Sequence, residues 1–196
     1  MNYHSVAEIF DDIDQTRARL FESVEGLSAD ERSSRPAPGR WSVAEILEHL
    51  SLVERGVARV VTRLLEKAEA AGQSKAEAAG QARETTGQTH EAAAAFAPVS
   101  IAEFVERTRT QRLNAPESAR PAGASVADSL AHLRDSRAAL HALRPRVERA
   151  DCASARLPHP AWGPLNLYEW LLFLGAHEAR HLAQIEALKE GMNAER

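Results

Sequence analysis

Five helix openings are written into this chain in one and the same way. A Ser or Asn is followed three residues later by an acid at Ser5 and Glu8, Ser42 and Glu45, Ser100 and Glu103, Ser125 and Asp128, and Asn166 and Glu169. This is the capping box: the first side chain accepts an N–H that a helix's first turn leaves orphaned, and the acid reaches back to the cap. Apolar residues then recur at spacings of three and four. Val6, Ile9, Ile13, Leu20, Val24 and Leu27 follow the first cap, and Val43, Ile46, Leu50, Val53, Val57, Val60 and Leu64 the second. Val126, Leu130, Leu133, Leu140 and Leu143 follow Ser125. That is the helical period, and no alternating run rich in Val, Ile and Thr competes with it. Long helices are expected over 5–27, 42–70, 125–147 and 166–190, the last capped by Gly191, with a shorter one from Ser100 to about Leu113 stopped by Pro116 and Pro121. The expected fold class is all-α: a four-helix bundle with an additional short helix, forming a single domain over 1–196.

Residues 71–99 stand apart from this pattern, being Ala-rich and punctuated by Gly72, Gly80 and Gly87. They are expected to extend the second helix and then fray into a loop. The chain has ordinary shares of hydrophobic (44%) and charged (27%) residues, and its longest apolar run, Trp170 to Ala176, is too short to span a bilayer. No membrane partner is expected. Asp11, Asp12 and Asp14 stand where a secretory signal would carry its apolar stretch, which predicts a cytoplasmic protein. Cys152 is the single cysteine, so neither an internal disulfide nor a cysteine-based zinc cage can form. With a net charge of −4 and no basic run, nucleic acid is not an expected partner.

The chemistry is concentrated in HEARH, residues 177–181. Positions i and i+4 on a helix bring two imidazoles to one face, close enough for both to reach one divalent ion. His177 and His181 continue the stripe Leu167, Trp170, Leu171, Leu174, which ends in Ile185 and Leu188 and faces a bundle interior. Two imidazoles there need partners for their ring nitrogens, and a shared metal is one way to supply them. The same letters spell the H-E-x-x-H of zinc proteases, but that reading needs a third ligand downstream. Gln184 and Ala187 occupy the places of the Gly and His that one protease class requires, and no helix is expected after the one bearing His181 to supply a Glu. The third ligand must therefore lie upstream. His49, two turns into a capped helix and beside its apolar stripe, is the first choice, and His132 the second. His4, His90, His141 and His159 fall near helix ends, in the excursion or on polar flanks, where solvated or capping roles are expected.

Two stretches, WSVAEILEHLSLVE and LPHPAWGPLNLYEWLLFLGAHEARHLAQIEAL, resemble the DinB-like (DinB/YfiT) superfamily of metal-dependent bacterial proteins. The family is a four-helix bundle with a Trp-Ser opening to its second helix and a His further in. A Gly-containing turn then leads to a fourth helix bearing His-x-x-x-His before a Gln. Trp41, Ser42 and His49 match the first part, and Gly163, His177, His181 and Gln184 the second, while RLNAPESARPAG is similar to the family's approach to its third helix. The resemblance implies a metal triad of His49, His177 and His181. Glu178 then occupies a variable position, as a carboxylate behind the ligands or on the surface and not as a general base. Residues 71–99 are longer than the resemblance implies.

Three imidazoles on one divalent ion, zinc or nickel first and iron or manganese next, leave a coordination position open. Such an ion can ionise a bound thiol or water. The resemblance implies transfer of a low-molecular-weight thiol to an electrophilic small molecule. The alternatives are a metal-dependent hydrolase and a non-catalytic stress-response bundle that binds a metal or a small ligand. A homodimer is compatible with all of these.

Overall fold

The computed structural model describes residues 2–86, 99–100 and 114–194. Five helices carry these residues: α1 (Val6–Glu25), α2 (Ala29–Ser33), α3 (Val43–Thr86), α4 (Val126–Val147) and α5 (Leu167–Ala194). The fold is the expected all-α bundle, with α1, α3, α4 and α5 as its long members. Each begins at the cap read from the sequence. Ser5, Ser42 and Ser125 accept the N–H groups of Glu8, Glu45 and Asp128, and Asn166 that of Glu169. Glu45 and Glu169 return the bond to the N–H of Ser42 and Asn166, which completes both boxes. A box at Ser28 and Glu31, absent from the expectations although it carries the same signature, opens the short α2.

Three expectations need correction or limitation. Gly191 does not end α5, which continues to Ala194. A glycine C-cap works through a left-handed backbone, and among the described residues only Gly39, Gly123 and Gly163 have positive φ. Val99–Ser100 forms strand β2, antiparallel to β1 (Asn2–Tyr3), and the helix expected from Ser100 to Leu113 lies outside the described residues. The segment before α5, for which no strand was expected, forms a hairpin of β3 (Arg156–His159) and β4 (Gly163–Asn166), with His159 opposite Gly163. The extension of α3 follows expectation through Thr86, and the loop expected beyond it lies outside the described residues.

The core divides in two. One apolar cluster holds Ile13, Val57, Leu140 and Leu174, and the other holds Leu20, Leu50, Leu133 and Leu182. The order in which each helix meets them gives its direction. Chains α1 and α5 pass from the first cluster to the second, and α3 and α4 pass from the second to the first. Helices α3 and α4 are therefore parallel neighbours, and a long crossover between them is obligatory. Among the described residues no helix is long and apolar enough to cross a membrane.

Between the two clusters lies a layer of charge to which each long helix contributes one residue. Arg17, Glu54, Arg137 and Glu178 are all buried. Arg17 donates through Nε to Glu178 Oε1 and through Nη2 to Glu54 Oε2. Arg137 donates to the other two oxygens, Glu54 Oε1 at 3.0 Å and Glu178 Oε2 at 3.1 Å. The remaining guanidinium donors meet the Leu133 carbonyl at 2.7 Å, the Ile13 carbonyl at 2.7 Å and Asp14 at 2.9 Å. Every carboxylate oxygen in this ring has a partner, as burial of charge demands.

Candidate metal centre

His49 comes from α3 and His177 and His181 from α5, and the antiparallel packing of these two helices brings the three imidazoles together. The potential ligand atoms all lie within 4.8 Å of one another. His49 Nε2 and His181 Nε2 each stand 3.2 Å from His177 Nε2. On the far side of its ring His49 donates Nδ1–H to the Ala119 carbonyl at 2.7 Å, and His181 donates Nδ1–H to Gln184 Oε1 at 2.7 Å. With Nδ1 protonated, the Nε2 lone pairs of both rings are fixed toward the centre. His177 Nδ1 is buried and has no hydrogen-bond partner among the described residues.

The rings are held neutral. Burial first, and then the neighbouring His181 and His49 rings, push His177 far below its ordinary range. Burial also takes His181 down to about 3, with the Gln184 bond opposing it, and lowers His49 against the opposing Ala119 bond. Neutral imidazole is the ligand form. The two 3.2 Å separations also suit a shared metal, because two nitrogens at ordinary bond lengths on a tetrahedral zinc stand about 3.3 Å apart.

Other residues complete the surroundings. Trp41, just before the Ser42 cap, lies over His49 with ring centroids 4.8 Å apart and stacks toward His181 at 6.4 Å. Phe173 lies against His177 at 5.3 Å, and His159 of the hairpin packs on Phe173 at 4.4 Å and on Trp170 at 4.9 Å. His159 is thus a half-buried ring in an aromatic cluster and not the solvated residue expected, while its Nδ1 accepts the Ala161 N–H at 3.1 Å in a capping role. His132 is half-buried and outside the triad, His141 pairs with Asp14, and His90 lies outside the described residues. Glu178 corrects its own expectation. It is neither on the surface nor hydrogen-bonded to an imidazole, but turned away into the ring of charge with Arg17 and Arg137. Burial pushes its carboxyl up, against the pull of the two guanidiniums.

The Glu48 carboxylate went unread in the sequence because its partners are backbone groups more than seventy residues away. It accepts the N–H groups of Ala122 at 2.8 Å and of Gly123 and Ala124 at 3.0 Å each. Cys152 is buried and free, and burial pushes its thiol up to about 11, as suits an inert residue.

The DinB superfamily profile matches residues 12–185, a span that contains all three histidines, the Trp41–Ser42 opening and the charge layer. The chain belongs to the DinB superfamily. Among the relatives of this DinB-superfamily protein is the uncharacterized protein YuaE of Bacillus subtilis (strain 168), 25% identical over 183 residues that cover 90% of this chain and 94% of YuaE. Among solved structures, that of TT2238, a four-helix bundle protein, superposes with a TM-score of 0.57 at 23% identity, covering 92% of this chain and 98% of TT2238. That likeness speaks for the bundle fold.

Proposed function

We propose that this DinB-superfamily protein holds one divalent metal ion, zinc or nickel before iron or manganese, on His49, His177 and His181, and transfers a low-molecular-weight thiol to an electrophilic small molecule. The observation that carries this reading is the convergence of three neutral Nε2 atoms, two of them with their tautomer fixed from behind. An ion held by His49, His177 and His181 would supply Lewis acidity that favours the thiolate form of a thiol near neutral pH. The protein's own part is to hold those three nitrogens inward and, through Trp41, to cover the rings of His49 and His181.

Thiol transfer is preferred over hydrolysis because of what the adjoining carboxylates do. Glu48 is taken by three backbone N–H groups and Glu178 by two arginines, so neither is available as a general base. A thiol ionises at about 8.5 unaided and needs little help, whereas water starts near 15.7. The engagement of Glu178 also argues against a peptidase, and no metal-dependent cleavage of casein is expected.

Two measurements on purified protein test the reading. After metal stripping and reconstitution, elemental analysis is expected to find about one ion per chain, and replacement of any one of the three histidines by Ala is expected to lower that content sharply. A triple variant with undiminished metal content would end the metal reading. On the cobalt-substituted protein, a small thiol is expected to give a sulfur-to-metal charge-transfer band with release of a proton, and its conjugation to a haloaromatic or epoxide is expected to accelerate. Metal bound without band or acceleration would leave hydrolysis or binding without turnover in place of transfer.

A further inference from the structure

We infer that Glu48 is a positioning residue for His49: by clamping the backbone at 122–124 it holds the Ala119 carbonyl against Nδ1 and so keeps the Nε2 lone pair of His49 aimed at His177. This deepens the metal-site reading and rests on it for its consequence in affinity, though not for its geometry.

Neighbouring residues on a helix point about 100° apart, so Glu48 cannot share His49's direction and meets a different group. What it meets is the approach to α4. A buried carboxylate must have its oxygens satisfied, and here three successive N–H groups converge on it. Successive donors turn toward one acceptor only where the backbone folds into a concavity, and Gly123, at φ +99, supplies the left-handed residue that makes one. An L side chain at that position is strained.

The clamp reaches Ala119 through a short, stiff connection. Ala119 closes a 3₁₀ turn (Glu117–Ala119), in which its N–H bonds the Pro116 carbonyl at 2.9 Å and the Arg120 N–H bonds the Glu117 carbonyl at 3.1 Å. Only Arg120 and Pro121 separate it from the clamped residues, and the proline ring fixes one of the intervening dihedrals. Glu48 therefore grips one end of a rigid segment and His49 receives a carbonyl from the other. The two residues are adjacent on α3, so the loop and the imidazole are referred to the same helical turn. A partner that orients a ligand from behind typically changes metal affinity by 10- to 100-fold when lost.

The test uses Glu48→Gln, which turns an amide N–H₂ toward donors, and Gly123→Ala, which disturbs the same clamp from the loop side without touching α3. Ser5→Ala, which removes the α1 cap far from the loop, controls for general destabilisation. In metal-free protein, nitrogen-15 NMR of the imidazoles is expected to show a single Nδ1–H tautomer at His49 in the wild type and in Ser5→Ala. A mixture of tautomers is expected in Glu48→Gln and Gly123→Ala. Zinc affinity, measured by competition with a chromophoric chelator, is expected to fall about 10- to 100-fold in the two clamp variants and to hold in Ser5→Ala. A wild-type tautomer and wild-type zinc affinity in either folded clamp variant would overturn the inference. Should the wild type bind no zinc, the metal reading fails by itself, while the His49 tautomer still decides the role of Glu48.

Discussion

His159 shows what a single buried ring costs when it must be charged. It accepts the Ala161 N–H at Nδ1 (3.1 Å) and packs among Phe173, Trp170 and Trp162, and burial takes it down from 6.5 to about 4. The unfolded chain binds a proton near pH 6.5 and the folded one only near pH 4, so the unfolded state is the more protonated between these values. Stability from this group is complete above pH 6.5 and is lost as the pH falls toward 4. For a fully buried ring the difference would amount to about 3 kcal/mol, and screening at this half-buried one brings it to about 1–2 kcal/mol. His159→Phe is expected to remove that part of the acid sensitivity, read as the difference between urea-unfolding free energies at pH 7 and pH 4.5 for the two proteins. An unchanged difference would show that the ring is solvated. At this scale the sequence was legible where spacing carried the signal: His177 and His181 by their helical repeat, His49 by its place beside a stripe. It was silent where the partner is backbone. Neither the Ala119 carbonyl behind His49 nor the three N–H groups on Glu48 leave any trace in residue identity.

Among the elements, α1 and α5 pack so closely that one methyl group decides their distance. A Cβ built on Gly175 would lie 2.8 Å from Ile13 Cγ2. That atom belongs to a β-branched side chain with little freedom to swing away. Gly175→Ala gains about 1 kcal/mol of helix propensity but forces overpacking worth about 1–3 kcal/mol, for a net loss of about 1 kcal/mol. Placed in an Ile13→Ala background, the same substitution is expected to stabilise, and a double-mutant cycle on urea midpoints reads this change of sign. Additive effects would mean that the helices simply move apart. Helix starts were the most legible elements, because a cap is a local bond between residues three apart. The hairpin of Arg156–His159 with Gly163–Asn166 was not, since its pairing lies between four-residue strands that contain Pro158 and Pro164 and have no alternating run to announce them. The end of α5 was misplaced because glycine permits a stop without compelling one.

The whole molecule is organised by its layer of charge. Arg17, Glu54, Arg137 and Glu178 each interrupt an apolar stripe, with an apolar residue four before and, in three of the four helices, another three after. In α5 that following place is taken by His181. The interruptions were visible in the sequence, but which charges meet was not, because the pairing depends on helix directions that only the two core clusters reveal. Removing one member leaves buried charge uncompensated, and Arg137→Met is expected to cost about 3–5 kcal/mol in urea unfolding. Replacing all four residues by Met or Leu of similar size is a different experiment. It removes the desolvation penalty along with the ion pairs, so the quadruple variant is expected to be at least as stable as the wild type. What it loses is register, since a continuous apolar core no longer distinguishes one sliding position of α3 against α5 from the next. His49 and His177 sit on those two helices, and the ring that links Glu54 to Glu178 through Arg17 and Arg137 is a buried polar connection between α3 and α5 that fixes the register in which the two imidazoles approach to 3.2 Å. The expected pair of results is an undiminished urea midpoint together with weakened zinc binding by chelator competition. A quadruple variant less stable than Arg137→Met would instead show that the charges hold the bundle together by their own attraction.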